Sequence, residues 1–109
     1  MKLRKLEELQ DHCVFEICYA KDFPNHWNKD SLYFSDEDFG EIGEYVYHVF
    51  NEYHYYGPQK ITIEEWNKIK EMALVNKGTG DSVRAFFKEV DVWFKQINNQ
   101  NDYFYIIGI

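Results

Sequence analysis

"YFYIIGI", residues 103–109, decides the fold. Aromatic and β-branched residues in one short run read as a strand. A strand this apolar is not left in water, so it is expected to pair inside a sheet. Its counterpart is "CVFEICYA", 13–20, where Cys13, Phe15, Ile17 and Tyr19 alternate with Val14, Glu16, Cys18 and Ala20. The segments between these two runs repeat with helical period. Strands near both termini with helices between them predict an α+β domain: a small, mostly antiparallel sheet with about three helices packed on one face. The length of 109 residues suits a single domain over 1–109, and 45% hydrophobic with 19% aromatic residues is too apolar for a disordered chain.

Three helices are expected. In the first, roughly 36–52, Ser35 is the cap, and Asp38 three residues later resembles a capping box. Phe39, Ile42, Val46, Val49, Phe50 and Tyr53 form its apolar stripe. Gly40 and Gly43 count against it by about 1 kcal/mol each; they imply a close neighbour or an irregular first turn. Thr62 opens the second helix with Glu65 completing a capping box, and Ile63, Trp66, Ile69 and Ala73 face inward. The third, about 82–97, has the clearest stripe: Val83, Phe86, Phe87, Val90, Trp93, Phe94 and Ile97. "NKGTGD", 76–81, breaks the chain before it.

The remaining segments are less regular. "LYF", 32–34, is compatible with a short strand, and 53–60 with a turn or short strand ending at Gly57-Pro58. Leu3, Leu6 and Leu9 have helical spacing in a segment short enough to be an edge strand. "KDFPNHWNKDS", 21–31, is a loop.

Charge is concentrated. The net charge is −7. Between Ser31 and Trp66 there are eight acids (Asp36, Glu37, Asp38, Glu41, Glu44, Glu52, Glu64, Glu65) against Lys60, a balance of −7; the rest of the chain is neutral. Six of the nine tyrosines lie in the same third of the chain, most of them in "YVYHVFNEYHYYG", 45–57. At 100° per residue Glu37, Glu41, Glu44, His48 and Glu52 fall opposite the apolar stripe, with Tyr45 and Tyr47 on its flanks. An acidic helix face is ordinarily just a solvated one, and carboxylates in a first turn suit the helix dipole. Here phenols coincide with the acids, and Tyr is enriched at protein interfaces. The expected surface for a partner is therefore acidic and tyrosine-rich: Glu37, Glu41, Glu44 and Glu52 for basic groups, Tyr45, Tyr47, Tyr53, Tyr55 and Tyr56 for buried contact, His48 and His54 for hydrogen bonds.

Other chemistries find little support. The acidic balance argues against direct nucleic-acid binding and against an anionic membrane surface. No run reaches the roughly 20 apolar residues of a bilayer span, and 1–11 lacks the apolar centre of a signal peptide. Cys13 and Cys18 fall on opposite faces of their strand and read as two buried free thiols, which suggests the cytoplasm. No phosphate loop, calcium loop or metal-ligand spacing is present: His12, His26, His48 and His54 stand apart from the cysteines. No catalytic residue, metal or cofactor is expected. In "DFPNHW" an acid beside His26 would make a ligand loop; the plainer expectation is Trp27 folded back onto the core.

"KDFPNHWNKDSLYFSDEDF", 21–39, "YHYYGPQKITIEEWNKIK", 53–70, and the closing "YFYIIGI" resemble small acidic immunity proteins encoded beside bacterial polymorphic or contact-dependent toxins. The resemblance implies a role more than an architecture: binding one cognate toxin domain, in many cases a nuclease, in the cytoplasm and blocking its active site. It implies no catalytic residue. The alternative expectation is an intracellular interaction or nucleic-acid-mimic module that uses the same surface.

Overall fold

The computed structural model describes residues 2–11, 13–21, 24–76, 78–97 and 102–108. His12, Ile109 and the side chain of Ile97 lie outside the described residues. In chain order the elements are β1 (Val14–Cys18), β2 (Leu32–Ser35), α1 (Asp36–Val49), β3 (Pro58–Thr62), α2 (Ile63–Val75), α3 (Asp81–Ile97) and β4 (Tyr103–Ile107). A single 3-10 turn at Leu6–Glu8 precedes them.

The four strands form one antiparallel sheet in the order β2-β1-β4-β3. The two strands nearest the ends of the chain are therefore its centre, as their apolar content demands. The N-terminal segment protects the β2 edge: Arg4 and Tyr33 exchange both backbone hydrogen bonds at 2.9 Å.

The register assigns the two faces. Phe15 lies opposite Phe34, Ile17 opposite Leu32 and Ile106, and Ile61 opposite Phe104. This face joins Phe39, Ile42 and Val46 of α1, Trp66 and Ile69 of α2, and the α3 stripe in one core. Among the described residues the three expected helical stripes point there, with Val49, Phe50 and Ile63 half-buried at the rim, so the domain is α+β with its helices on one side of the sheet. On the reverse face Glu16 stands opposite Tyr33 and Ile107, and Cys18 opposite Tyr105.

Local chemistry explains the helix starts. Ser35 Oγ accepts the Asp38 backbone N–H at 3.0 Å. The reciprocal box is complete at α2, where Thr62 Oγ1 accepts from Glu65 N and Glu65 Oε1 from Thr62 N. At α1 the Asp38 carboxylate instead accepts the Lys2 N–H at 3.2 Å.

Several expectations need correction. Helix α1 stops at Val49, three residues early, because Phe50 turns to extended backbone while its N–H still bonds Val46 O at 2.9 Å. Gly40 and Gly43 neither distort it nor admit another element: a Cβ at Gly40 would meet nothing within 4 Å, and one at Gly43 only the Phe39 ring of the same helix. Strand β3 begins at Pro58 instead of ending there. Proline is tolerated because β3 is an edge strand, and Ile61 alone anchors it fully in the core. Cys13 precedes β1 and is exposed; only Cys18 is the buried free thiol expected of both.

Candidate acidic and tyrosine-rich interface

Helix α1 lies over the sheet with Phe39, Ile42 and Val46 beneath it. The 3.6-residue turn then puts Glu37, Glu41, Glu44 and His48 within an outward arc of roughly 60°. All four are exposed. The ion pairs among the described residues are His26–Glu16 and Lys70–Asp91, and none engages Glu37, Glu41, Glu44 or Glu52. Among the described residues the ridge is thus a row of like charges without paired bases. Glu52 is exposed too, but because α1 ends early it sits in the turn beyond the helix and not on the ridge.

The chain then doubles back along one flank of α1. Tyr53 packs on Tyr47, Phe39 and Phe50, with ring centroids 5.6–6.0 Å apart. Tyr55 stands edge-on to Phe15 and Phe39 and donates its hydroxyl to Asp36 at the head of α1. That bond pushes the Tyr55 phenol up to about 12, with burial adding to it. Tyr56 is left 80% exposed and Tyr47 46%. On the opposite flank Tyr45 is half-buried, and its hydroxyl accepts from Asn76 Nδ2 at 2.7 Å.

The expected contact residues therefore divide. Glu37, Glu41, Glu44, Tyr47 and His48 share the exposed side of α1; Tyr56, His54 and Glu52 are exposed beyond it. Tyr45 and Tyr55 are half-buried, with hydroxyls already bonded inside the protein. Tyr53 is a correction as a contact residue: at 9% exposure it belongs to the core, as its place in the apolar stripe implied, because the chain turns after α1 and brings its ring onto Phe39, Tyr47 and Phe50. Burial raises its phenol well above the ordinary range.

A second polar cluster lies on the reverse face of the sheet. Glu16, wholly buried in β1, receives His26 Nδ1 on Oε1 at 2.8 Å. Its Oε2 accepts from Asn28 N at 3.1 Å, Asn28 Nδ2 at 2.7 Å and Ser31 Oγ at 2.5 Å. His26 Nε2 faces Gly108 O at 3.1 Å. The acid beside His26 is thus a strand residue 10 positions upstream, not a loop neighbour. Trp27 stacks between His26 and Tyr33, so the loop does fold back, but onto the reverse face of the sheet and not, as expected, onto the core. Four donor groups converge on Glu16, and an arrangement so closed fastens the 24–31 loop. The charge of Glu16, after burial, helps push the Tyr33 phenol and the Cys18 thiol each up to about 12. A glutamate inside a β-run was the available signal for this cluster: a buried carboxylate requires partners, and the polar loop 21–31 was the place to find them.

Among the described residues no group of three or more His, Cys, Asp or Glu stands close enough to hold a metal ion, and no helix is long and apolar enough to cross a membrane. Compared with protein-family models, with curated proteins and with solved structures, the chain gives no match.

Proposed function

We propose that this chain is a cytoplasmic immunity protein that binds one cognate bacterial toxin domain and neutralises it stoichiometrically. One observation carries the reading: the α1 ridge Glu37–Glu41–Glu44 is exposed, pairs with no base among the described residues, and is flanked by the exposed phenol of Tyr47, with that of Tyr56 exposed beyond it. Like charges in a row destabilise a helix by a few tenths of a kcal/mol per pair, and a basic partner converts that penalty into attraction. Nucleases are the first toxin class to test, since their active-site clefts are basic to bind phosphates. The role requires steering and occlusion, and acidic surfaces steer basic partners into contact faster than unaided diffusion allows.

The experiment is co-expression with the product of the adjacent open reading frame. The expected result is rescue from toxicity and a purified 1:1 complex. Glu41→Lys with Glu44→Lys should slow association and flatten its dependence on salt, leaving the fold intact because both residues are exposed. Rescue without a complex, or association unchanged by the double reversal, would remove the ridge from the interface.

A further inference from the structure

The proposed interface accounts for the outward side of α1 and for its Tyr47 flank. It does not account for the Tyr45 flank, where α1 meets α2. There an open hollow of about 610 Å³ runs between the helices, lined by His48, Val49, Lys68, Glu71, Met72 and Val75. Its apolar wall includes Val75, 74% exposed on the last turn of α2. An aliphatic side chain that open, beside half-buried Val49 and Met72, leaves an apolar strip within an otherwise acidic region. A second, smaller hollow continues the seam toward the start of α1, lined by Glu41, Glu44, Tyr45, Asn76 and Thr79 among others. Tyr45 and Asn76, hydrogen-bonded to each other, line this second hollow, and Val75 of the first directly precedes Asn76 in the chain.

The seam is therefore apolar at one end and acidic at the other. From Val49 to Glu44 and to Glu41 is roughly 7–12 Å along the helix axis at 1.5 Å per residue. Among the described lining residues Lys68 and Glu71 offset each other at the apolar end, and the charges at the other end are those of Glu41 and Glu44.

We infer that this seam is an anchor socket for one segment of the protein partner: an amphipathic helix bearing an aliphatic or aromatic anchor and, one to two turns along the same face, lysine or arginine. The inference rests on the function proposed above and adds residues to it, namely Val49, Met72 and Val75. Charge complementarity selects the occupant. A second copy of this chain would bring another net −7 against the ridge, and nucleic acid would be repelled by it. A basic amphipathic segment gains at both ends: its anchor removes Val75 and Met72 from water, and its bases meet Glu41 and Glu44. Helix-in-groove recognition works by such anchors, and a few buried apolar anchors dominate the binding energy.

The test uses a synthetic helical peptide with leucines on one face of its first half and lysines on the same face of its second, and a control with each lysine replaced by glutamate. Binding is followed by backbone amide shifts of the isotope-labelled full chain. The expected shifts are at His48, Val49, Met72 and Val75 together with Glu41 and Glu44, with the control at least about tenfold weaker. Val75→Glu should weaken the lysine peptide about tenfold, and Val75→Ala less, without unfolding because the side chain is exposed. Shifts at the sheet's reverse face around Tyr103 and Tyr105, equal binding of both peptides, or no binding would overturn the socket. Co-expression separates the two readings. Rescue by the native chain and equally by Val75→Glu removes the socket and keeps the toxin; peptide binding in the seam without rescue from toxicity removes the toxin and keeps the socket.

Discussion

A Cβ added to Gly108 would lie 1.8 Å from the Tyr55 carbonyl oxygen and 2.8 Å from the Tyr56 Cα. The end of β4 and the tyrosine loop are in direct backbone contact, closer than any other residue type permits. Gly108 N donates to Gly57 O at 3.2 Å, and Gly108 O faces His26 Nε2 at 3.1 Å. One residue thus ties the loop presenting Tyr56, the last strand and the loop covering the reverse face.

Gly108→Ala is accordingly expected to destabilise the fold by about 1–3 kcal/mol or more, since the obstructing atoms are backbone and cannot rotate away. Gly57→Ala is the control: a Cβ there meets nothing within 4 Å, and the change should stay within about 0.5 kcal/mol. Urea unfolding midpoints give both values. Equal midpoints for the two variants would show that the strand end and the loop are not in contact in solution.

Glu16→Ala should be the most damaging single truncation on the reverse face. It leaves the Asn28 amides, the Ser31 hydroxyl and the His26 ring without their acceptor. Leaving a buried donor without its acceptor costs about 1–3 kcal/mol. Glu16→Gln keeps an acceptor oxygen and should lose less. Proteolysis within residues 24–31 should accelerate in the alanine variant before global unfolding, because that loop is what the carboxylate holds. A loop equally resistant in both variants would assign its docking to Trp27 and Tyr33 stacking instead.

The contrast between Glu16 and α1 shows what was legible in the sequence. Helical stripes such as Val83 to Phe94 are local repeats, so their buried faces followed directly from spacing. Ser35 and Thr62 marked helix starts for the same reason: a cap acts within one turn. That β4 pairs inside the sheet followed from its apolar composition; the order of the other strands did not. Strand β3 did not, because "PQKIT" has a single core residue and its pairing is a long-range event. Nor did the end of α1, where the stripe continued through Phe50 and Tyr53 in sequence while the backbone had left the helix. Periodicity reports which side chains seek the core, and a chain doubling back can satisfy it as well as another turn of helix. For the site, exposure of the carboxylates was legible, and so was the pull of Tyr53 toward the core, since it stood in the apolar stripe as well as among the contact residues; the bonded hydroxyls of Tyr45 and Tyr55 were not.

The two thiols should differ in reactivity. Cys13 is exposed, whereas Cys18 is 2% exposed. At mild pH a thiol reagent should titrate Cys13 quickly and reach Cys18 only in urea. Burial first, and the Glu16 charge second, raise the Cys18 thiol from 9.0 to about 12; Tyr33 moves from 10.0 to about 12 for the same reasons. A proton held more tightly in the folded state contributes stability that is intact below about pH 9 and is lost as pH climbs toward about 12, because the unfolded chain ionises first. The urea midpoint should thus be level from about pH 7 to 9 and fall above it. A midpoint unchanged at about pH 11 would mean that neither group is buried as described.

Tyr53 supplies the sharpest check on which phenols face a partner. Its ring is packed among Phe39, Tyr47 and Phe50, and its buried hydroxyl has no hydrogen-bond partner among the described residues. An orphaned buried hydroxyl opposes folding by about 1–3 kcal/mol, so Tyr53→Phe keeps the packing and removes the polar atom. Stability should hold or rise, and partner binding should not change. Tyr47→Ala and Tyr56→Ala remove exposed rings instead; they should leave the unfolding midpoint nearly unmoved and weaken the complex. If Tyr53→Phe weakened the complex at unchanged stability, the hydroxyl would have to reach the partner, and the segment following α1 would open on binding.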